Sequence, residues 1–120
     1  MNDMRAQLAA FIVSLEELDI DRDSLDELLA SFLESSEILS RELEAAVQQN
    51  DSRLTRTAAH GLKGCIANFG FTELADLAAE LETSGKAAKW EETKATLAAF
   101  LPKCQQARET VAEARRNGTK

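Results

Sequence analysis

Proline occurs once in these 120 residues, tyrosine never, and valine and isoleucine together only seven times. A β-sheet draws on β-branched and aromatic residues, so the chain lacks the material for one. Cysteine occurs twice, at Cys65 and Cys104, which excludes a disulfide framework and shows no metal-site spacing. This usage fits a reducing cytoplasm, with both thiols acting as small buried hydrophobes. No apolar run approaches the ~20 residues of a membrane span. The opening MNDMRAQLAAFIVSLEELD meets acids straight after its apolar stretch and has no small-residue cleavage site, so it does not read as a secretory leader. Basic charge is also short, 14 Lys and Arg against 21 Asp and Glu, net −7. General nucleic-acid or anionic-membrane binding needs the opposite balance. What remains is helix-forming material. Ala, Leu and Glu number 20, 16 and 14, and a chain of this length can bury one core without staples. The expected fold is all-α, a single domain over 1–120.

Apolar residues recur with helical period almost throughout. Leu8, Phe11, Ile12, Leu15 and Leu18 mark an N-terminal helix over about 4–18. Ser24 and Glu27 form a capping-box pattern opening a long helix that carries Leu25, Leu28, Leu29, Phe32, Leu33, Leu39, Leu43 and Val47. Asp51 or Ser52 caps the next, with a stripe of Leu54, Ala58, Leu62, Cys65 or Ile66, and Phe69, ended by Gly70 as a left-handed cap. Thr72 caps a shorter helix with Leu74, Leu77, Ala78 and Leu81, closed at Ser84-Gly85. A last helix begins near Ala87, and Pro102 inside it should kink or split it. Connections this short join antiparallel neighbours. The expectation is an up-down-up-down four-helix bundle over about 24–115 with the short N-terminal helix covering one end or side, and a frayed tail at 116–120.

His60 is the only histidine. On a helical wheel of about 100° per residue with Leu54 at zero, the apolar stripe centres near 55° and His60 falls near 240°. It therefore faces away from the core, on a strip shared with Arg53, Arg56, Lys63, Gly64 and Ala67. No acid occurs from Ser52 to Thr72. An acidic chain that clears 21 residues of carboxylates around one exposed histidine prepares that face for a negatively charged group. Gly61 and Gly64 each cost about 1 kcal/mol relative to Ala within a helix. Gly64 is one turn from His60 on its own face and leaves the ring uncovered for a partner's approach. Gly61 borders the core, so for docking a larger side chain should be tolerated there better than at Gly64. Lys63, at i+3, can place an ammonium beside whatever the ring carries. An exposed imidazole is nucleophilic through its unprotonated nitrogen. The group reads as a phosphoryl acceptor.

His60-Gly61-Leu62-Lys63-Gly64, followed by Cys65-Ile66-Ala67-Asn68-Phe69-Gly70, resembles the His-x-Leu-Lys-Gly signature of histidine phosphotransfer (HPt) domains, with their further glycine six residues on. The stretch from Phe32 to Asp51 and the segment Leu77-Ala78-Ala79-Glu80-Leu81-Glu82 extend the resemblance to roughly residues 20–112. Cys65 departs from the small residue common there, and its place on the buried side of the wheel implies altered packing rather than altered chemistry. The resemblance implies a phosphocarrier and not an enzyme. It would take a phosphoryl group from the aspartate of a response regulator receiver domain onto His60 and pass it to another. The implied partners are receiver domains, a hybrid sensor histidine kinase or both, with no nucleic acid and no membrane, and the chain is expected to act as a cytoplasmic monomer. It needs no cofactor or metal of its own, because Mg²⁺ belongs to the receiver. No nucleotide-binding loop is present either.

In an antiparallel pair a residue ten to twelve beyond Gly70 returns to the height of His60, at about 1.5 Å per residue. Glu82 lies there. Related domains often carry Gln or Glu at this point, contacting the near ring nitrogen and so fixing the tautomer. Lys86, one turn further on, joins Arg53, Arg56, Gly64 and Ala67 as a docking residue. A second reading keeps the bundle and the exposed helix face but gives it no chemistry, as a binding module. A metal or redox protein is a third, although His60 and Cys65 stand about 140° apart and make a poor ligand pair.

Overall fold

The computed structural model describes residues 3–118, and the described residues form five helices and no strand. These are α1 (Met4–Glu17), α2 (Arg22–Gln48), α3 (Ser52–Asn68), α4 (Thr72–Lys86) and α5 (Trp90–Gly118). α2 to α5 pack each against its chain neighbour, and α5 closes the ring against α2, giving the antiparallel four-helix bundle. The core is made of the inward stripes: Phe32, Leu43 and Val47 from α2, Leu62 and Ile66 from α3, Leu74 and Leu81 from α4, Phe100 and Val111 from α5.

α1 lies against α5 and buries Leu8. Its Phe11 ring stands 4.7 Å from Phe69, which stands 4.5 Å from Phe32. The turn between α3 and α4 thus delivers Phe69 and Phe71 into an aromatic cluster that joins α1, α2 and the turn, with the offset and tilted geometries such rings prefer. Gly70 makes that turn at φ 82°, in the left-handed region.

Several local expectations are corrected. α2 is capped by Asp21, whose carboxylate accepts from Ser24 N, and so begins at Arg22; Ser24 and Glu27 do not form the capping box. Asp51 caps α3 through Leu54 N. Ser52, its sequence rival, instead donates to the carbonyls of Gly85 and Lys86. Thr72 is already helical, with Phe71 at the cap position and no side-chain cap. α5 starts at Trp90 and runs through Pro102 unsplit. The ring sits on the exposed face, so the Ala98 carbonyl it deprives of a partner looks to water. Helix also continues through 116–118, and Arg115 forms a two-pronged pair with Asp26 at 2.9 and 3.2 Å. Residues 119 and 120 of the expected frayed tail lie outside the described residues.

Gly85 does not close α4. It is buried inside the last turn, where a Cβ would come 2.5 Å from Thr55 Cγ2 and 3.2 Å from Thr55 Cβ. The α4 backbone approaches the Thr55 side chain of α3 here, and Gly85→Ala should destabilise by about 1–3 kcal/mol through overpacking. Thr55→Ser removes the nearer methyl, so Gly85→Ala/Thr55→Ser should recover part of the loss. Equilibrium urea unfolding of the three proteins checks this, and strict additivity of the two substitutions would contradict it.

Candidate functional site

α3 carries the candidate site because its sequence is amphipathic in one register only. Thr55, Ala58, Ala59, Leu62 and Ile66 are buried, while Arg53, Arg56, His60, Gly64 and Ala67 are exposed on the opposite side. The stripe is rotated slightly from the expected one. Leu54 is 50% exposed, and Cys65 is half-buried. Burial pushes the Cys65 thiol up to about 11, with a smaller push from Cys104, so it stays protonated at neutral pH.

His60 reaches into solvent with 68% of its side chain exposed, and its Nδ1 lies 3.0 Å from Glu82 Oε2 on α4. Lys63 Nζ lies 3.2 Å from the other oxygen of the same carboxylate. Burial pushes the Glu82 carboxyl upward, but hydrogen bonds and charge from Lys63 and His60 outweigh it and hold the group below its ordinary value of 4.5. It is therefore ionised at neutral pH and can only accept. Nδ1 must then carry the proton of the neutral ring, which leaves the lone pair on Nε2, the nitrogen pointing away from Glu82. The arrangement leaves the unprotonated nitrogen on an exposed ring.

The structure thus brings together His60, Lys63 and Glu82. Arg53, Arg56, Gly64 and Ala67 share the exposed strip, and Lys86 is exposed one turn beyond Glu82 at the end of α4. A Cβ at Gly64 would meet nothing within 4 Å, so the space beside the ring is open. At Gly61 a Cβ would meet Leu39 Cδ1 of α2 at 3.2 Å. A larger residue at Gly61 would therefore press on the Leu39 side chain inside the bundle, whereas one at Gly64 would stand on the His60 face. Sequence reasoning missed the second arm of Glu82. Lys63 lies one turn nearer Gly70 than His60, so height alone does not pair it with Glu82; its long side chain reaches back to the carboxylate. Sequence reasoning also missed Ser52 and Gly85, which pin the far end of the α3–α4 pair. Among the described residues no cluster of three or more His, Cys, Asp or Glu is placed to hold a metal ion.

The sequence model of the Hpt domain matches residues 27–117. In three dimensions the chain is similar to the crystal structure of histidine-containing phosphotransfer protein B (HptB) from Pseudomonas aeruginosa PAO1, with a TM-score of 0.81 and 29% identity over 90% of this chain and 92% of that one. No curated protein sequence matches.

The lowered Glu82 carboxyl makes a prediction about acid stability. Its contribution is fully present above the ordinary value of 4.5 and is lost as the pH falls through the depressed folded value. Glu82→Gln should therefore flatten the acid limb of the stability curve below pH 5, measured as the urea midpoint against pH. Parallel limbs in the two proteins would show that the carboxylate is not stabilised by its partners.

Proposed function

The chain belongs to the Hpt domain family and is a histidine phosphotransfer module of phosphorelays, and from that premise we propose that His60 is its phosphoryl acceptor, oriented by Glu82 and assisted by Lys63. The observation that carries this is the bridge from Glu82 to His60 Nδ1 at 3.0 Å on an otherwise exposed ring. In-line transfer from a receiver's aspartyl phosphate needs a lone pair that a partner can reach, and Nε2 offers it. Lys63, 39% exposed, is one side-chain rotation from the incoming dianion. Arg53, Arg56, Gly64, Ala67 and Lys86 form the docking surface on this reading: the arginines attract the acidic partner, and the small residues let it approach.

Hpt domains work with response regulator receiver domains and with kinases. For this chain the reading extends to a phosphocarrier that is not itself an enzyme, with Mg²⁺ supplied by the receiver and the protein acting as a cytoplasmic monomer. No helix among the described residues is long and apolar enough to cross a membrane.

His60→Gln should abolish acid-labile labelling by a phosphorylated receiver domain while leaving helix content unchanged by circular dichroism. Labelling equal to the parent's would overturn the assignment of the acceptor. Survival of partner binding and biological output in His60→Gln would favour a docking module without chemistry. Gly64→Gln should slow receiver-to-protein transfer by tenfold or more with a thermal midpoint close to that of the parent, since an added side chain there meets only solvent in the free protein. Equal transfer rates in stopped-flow or gel assays would remove the access argument.

A further inference from the structure

We infer that Glu82, by being a carboxylate, keeps the Nδ1 proton on His60 throughout transfer, so that the phosphorylated ring is a cation and its phosphoryl group is held in a labile form. This rests on the reading of His60 as acceptor. Before transfer, Nδ1–H donates to Glu82 Oε2 and Nε2 carries the lone pair. As Nε2 attacks, the N–P bond forms and the P–O bond of the aspartyl phosphate breaks. Its electron pair goes to the receiver's carboxylate. No proton has moved. The ring now bears one positive charge and the phosphoryl group is a dianion.

Free in water, such a ring sheds the Nδ1 proton readily as the pH rises. Here it cannot do so without aiming a lone pair at an ionised oxygen 3.0 Å away, an acceptor facing an acceptor. The carboxylate cannot easily turn aside, because Lys63 holds Oε1 at 3.2 Å. Glu82 is only 20% exposed, so water screens the pair less than it would at an open surface. The other charges facing the ring are few. α3 contributes Lys63 and, one turn earlier on the same strip, Arg56. From α4 come Glu82 and, beyond it, Lys86. α2 brings the apolar Leu39 to neighbouring Gly61, and among the described residues only Glu82 lies within ion-pair distance of the ring. These cations oppose proton retention, but none of them is in contact with the ring, whereas the carboxylate is hydrogen-bonded to Nδ1 itself.

The consequence is chemical. A protonated phosphoimidazole loses its phosphoryl group to leave a neutral imidazole, whereas the neutral form would have to expel an imidazolide anion. On outflow the N–P pair returns to Nε2 and the ring resumes the tautomer that Glu82 already holds. A glutamine at 82 could turn its amide N–H toward an unprotonated Nδ1 and favour the neutral, longer-lived form.

The test uses the full chain labelled with ¹⁵N-histidine, which gives one imidazole because His60 is the only histidine, phosphorylated with potassium phosphoramidate. At pH 8 the phosphorylated protein should show Nδ1 as a protonated nitrogen, whereas E82Q should show it unprotonated. The pH midpoint for phosphate loss should lie about one unit higher in the parent, making its phosphohistidine roughly tenfold shorter-lived between the two midpoints. An unprotonated Nδ1 in the parent at pH 8, or equal midpoints, would overturn the proposal while leaving His60 as the acceptor. Phosphorylation that leaves both His60 nitrogens unmoved would overturn both readings. The parent's own nitrogen spectrum decides the matter even where E82Q fails to fold.

Discussion

A single carboxylate reaching across from α4 to α3 holds both His60 and Lys63, and its reach depends on how the two helices are fixed in height. At one end Gly70 turns the chain and Phe69 and Phe71 anchor the turn in the aromatic cluster. At the other, Gly85 lets α4 close onto Thr55, and Ser52 ties the first turn of α3 to the last carbonyls of α4. Between these clamps the helices can neither slide nor splay by a turn without breaking packed contacts. Glu82 consequently meets His60 and Lys63 together. A slip of one residue would move its side chain by about 100° around α4 and lose both.

The glycines around the site do different work despite their similar sequence settings. Gly61 permits α2 to pack close, through Leu39, and so belongs to the bundle. Gly64 has open space where a Cβ would stand, the space that the proposed docking would use. A helix of 17 residues that tolerates both, at about 1 kcal/mol each, relies on its packed face for stability rather than on intrinsic propensity. That face is supplied by Ala58, Ala59, Leu62 and Ile66, each at most 4% exposed.

Helix order, bundle architecture and the solvent side of His60 were readable because they follow from periodicity, which depends on many residues at once. Glu82 was readable because rise per residue is nearly constant in antiparallel helices. The misreadings share another origin. Asp21 and Ser24 are both good caps, and the choice between them rests on which backbone N–H is free. Gly85 looked like a terminator because glycine often ends helices; its actual role is a contact with Thr55, thirty residues earlier, which no local pattern encodes. Pro102 looked like a break because its effect on the helix is local, while tolerance of it depends on which side of α5 faces water.

Charge arithmetic shows why a site on so acidic a chain is kept free of acids. In the resting protein the neutral ring, Lys63 and Glu82 sum to zero. On the proposed chemistry the phosphorylated ring adds one positive charge and the phosphoryl group two negative, leaving −1. Arg53 and Arg56 lie on the same exposed strip, and no carboxylate occurs from Ser52 to Thr72. Any second carboxylate on this face would compete with phosphate for Lys63 and repel it at short range, where water screens incompletely. Glu82 does compete for Lys63, yet it also directs the ring. On that proposed chemistry an acid is useful at one point around His60, on the near-nitrogen side, and harmful elsewhere on the face. The 21-residue gap in the acids and the lone carboxylate bridging from the next helix are two expressions of that one requirement.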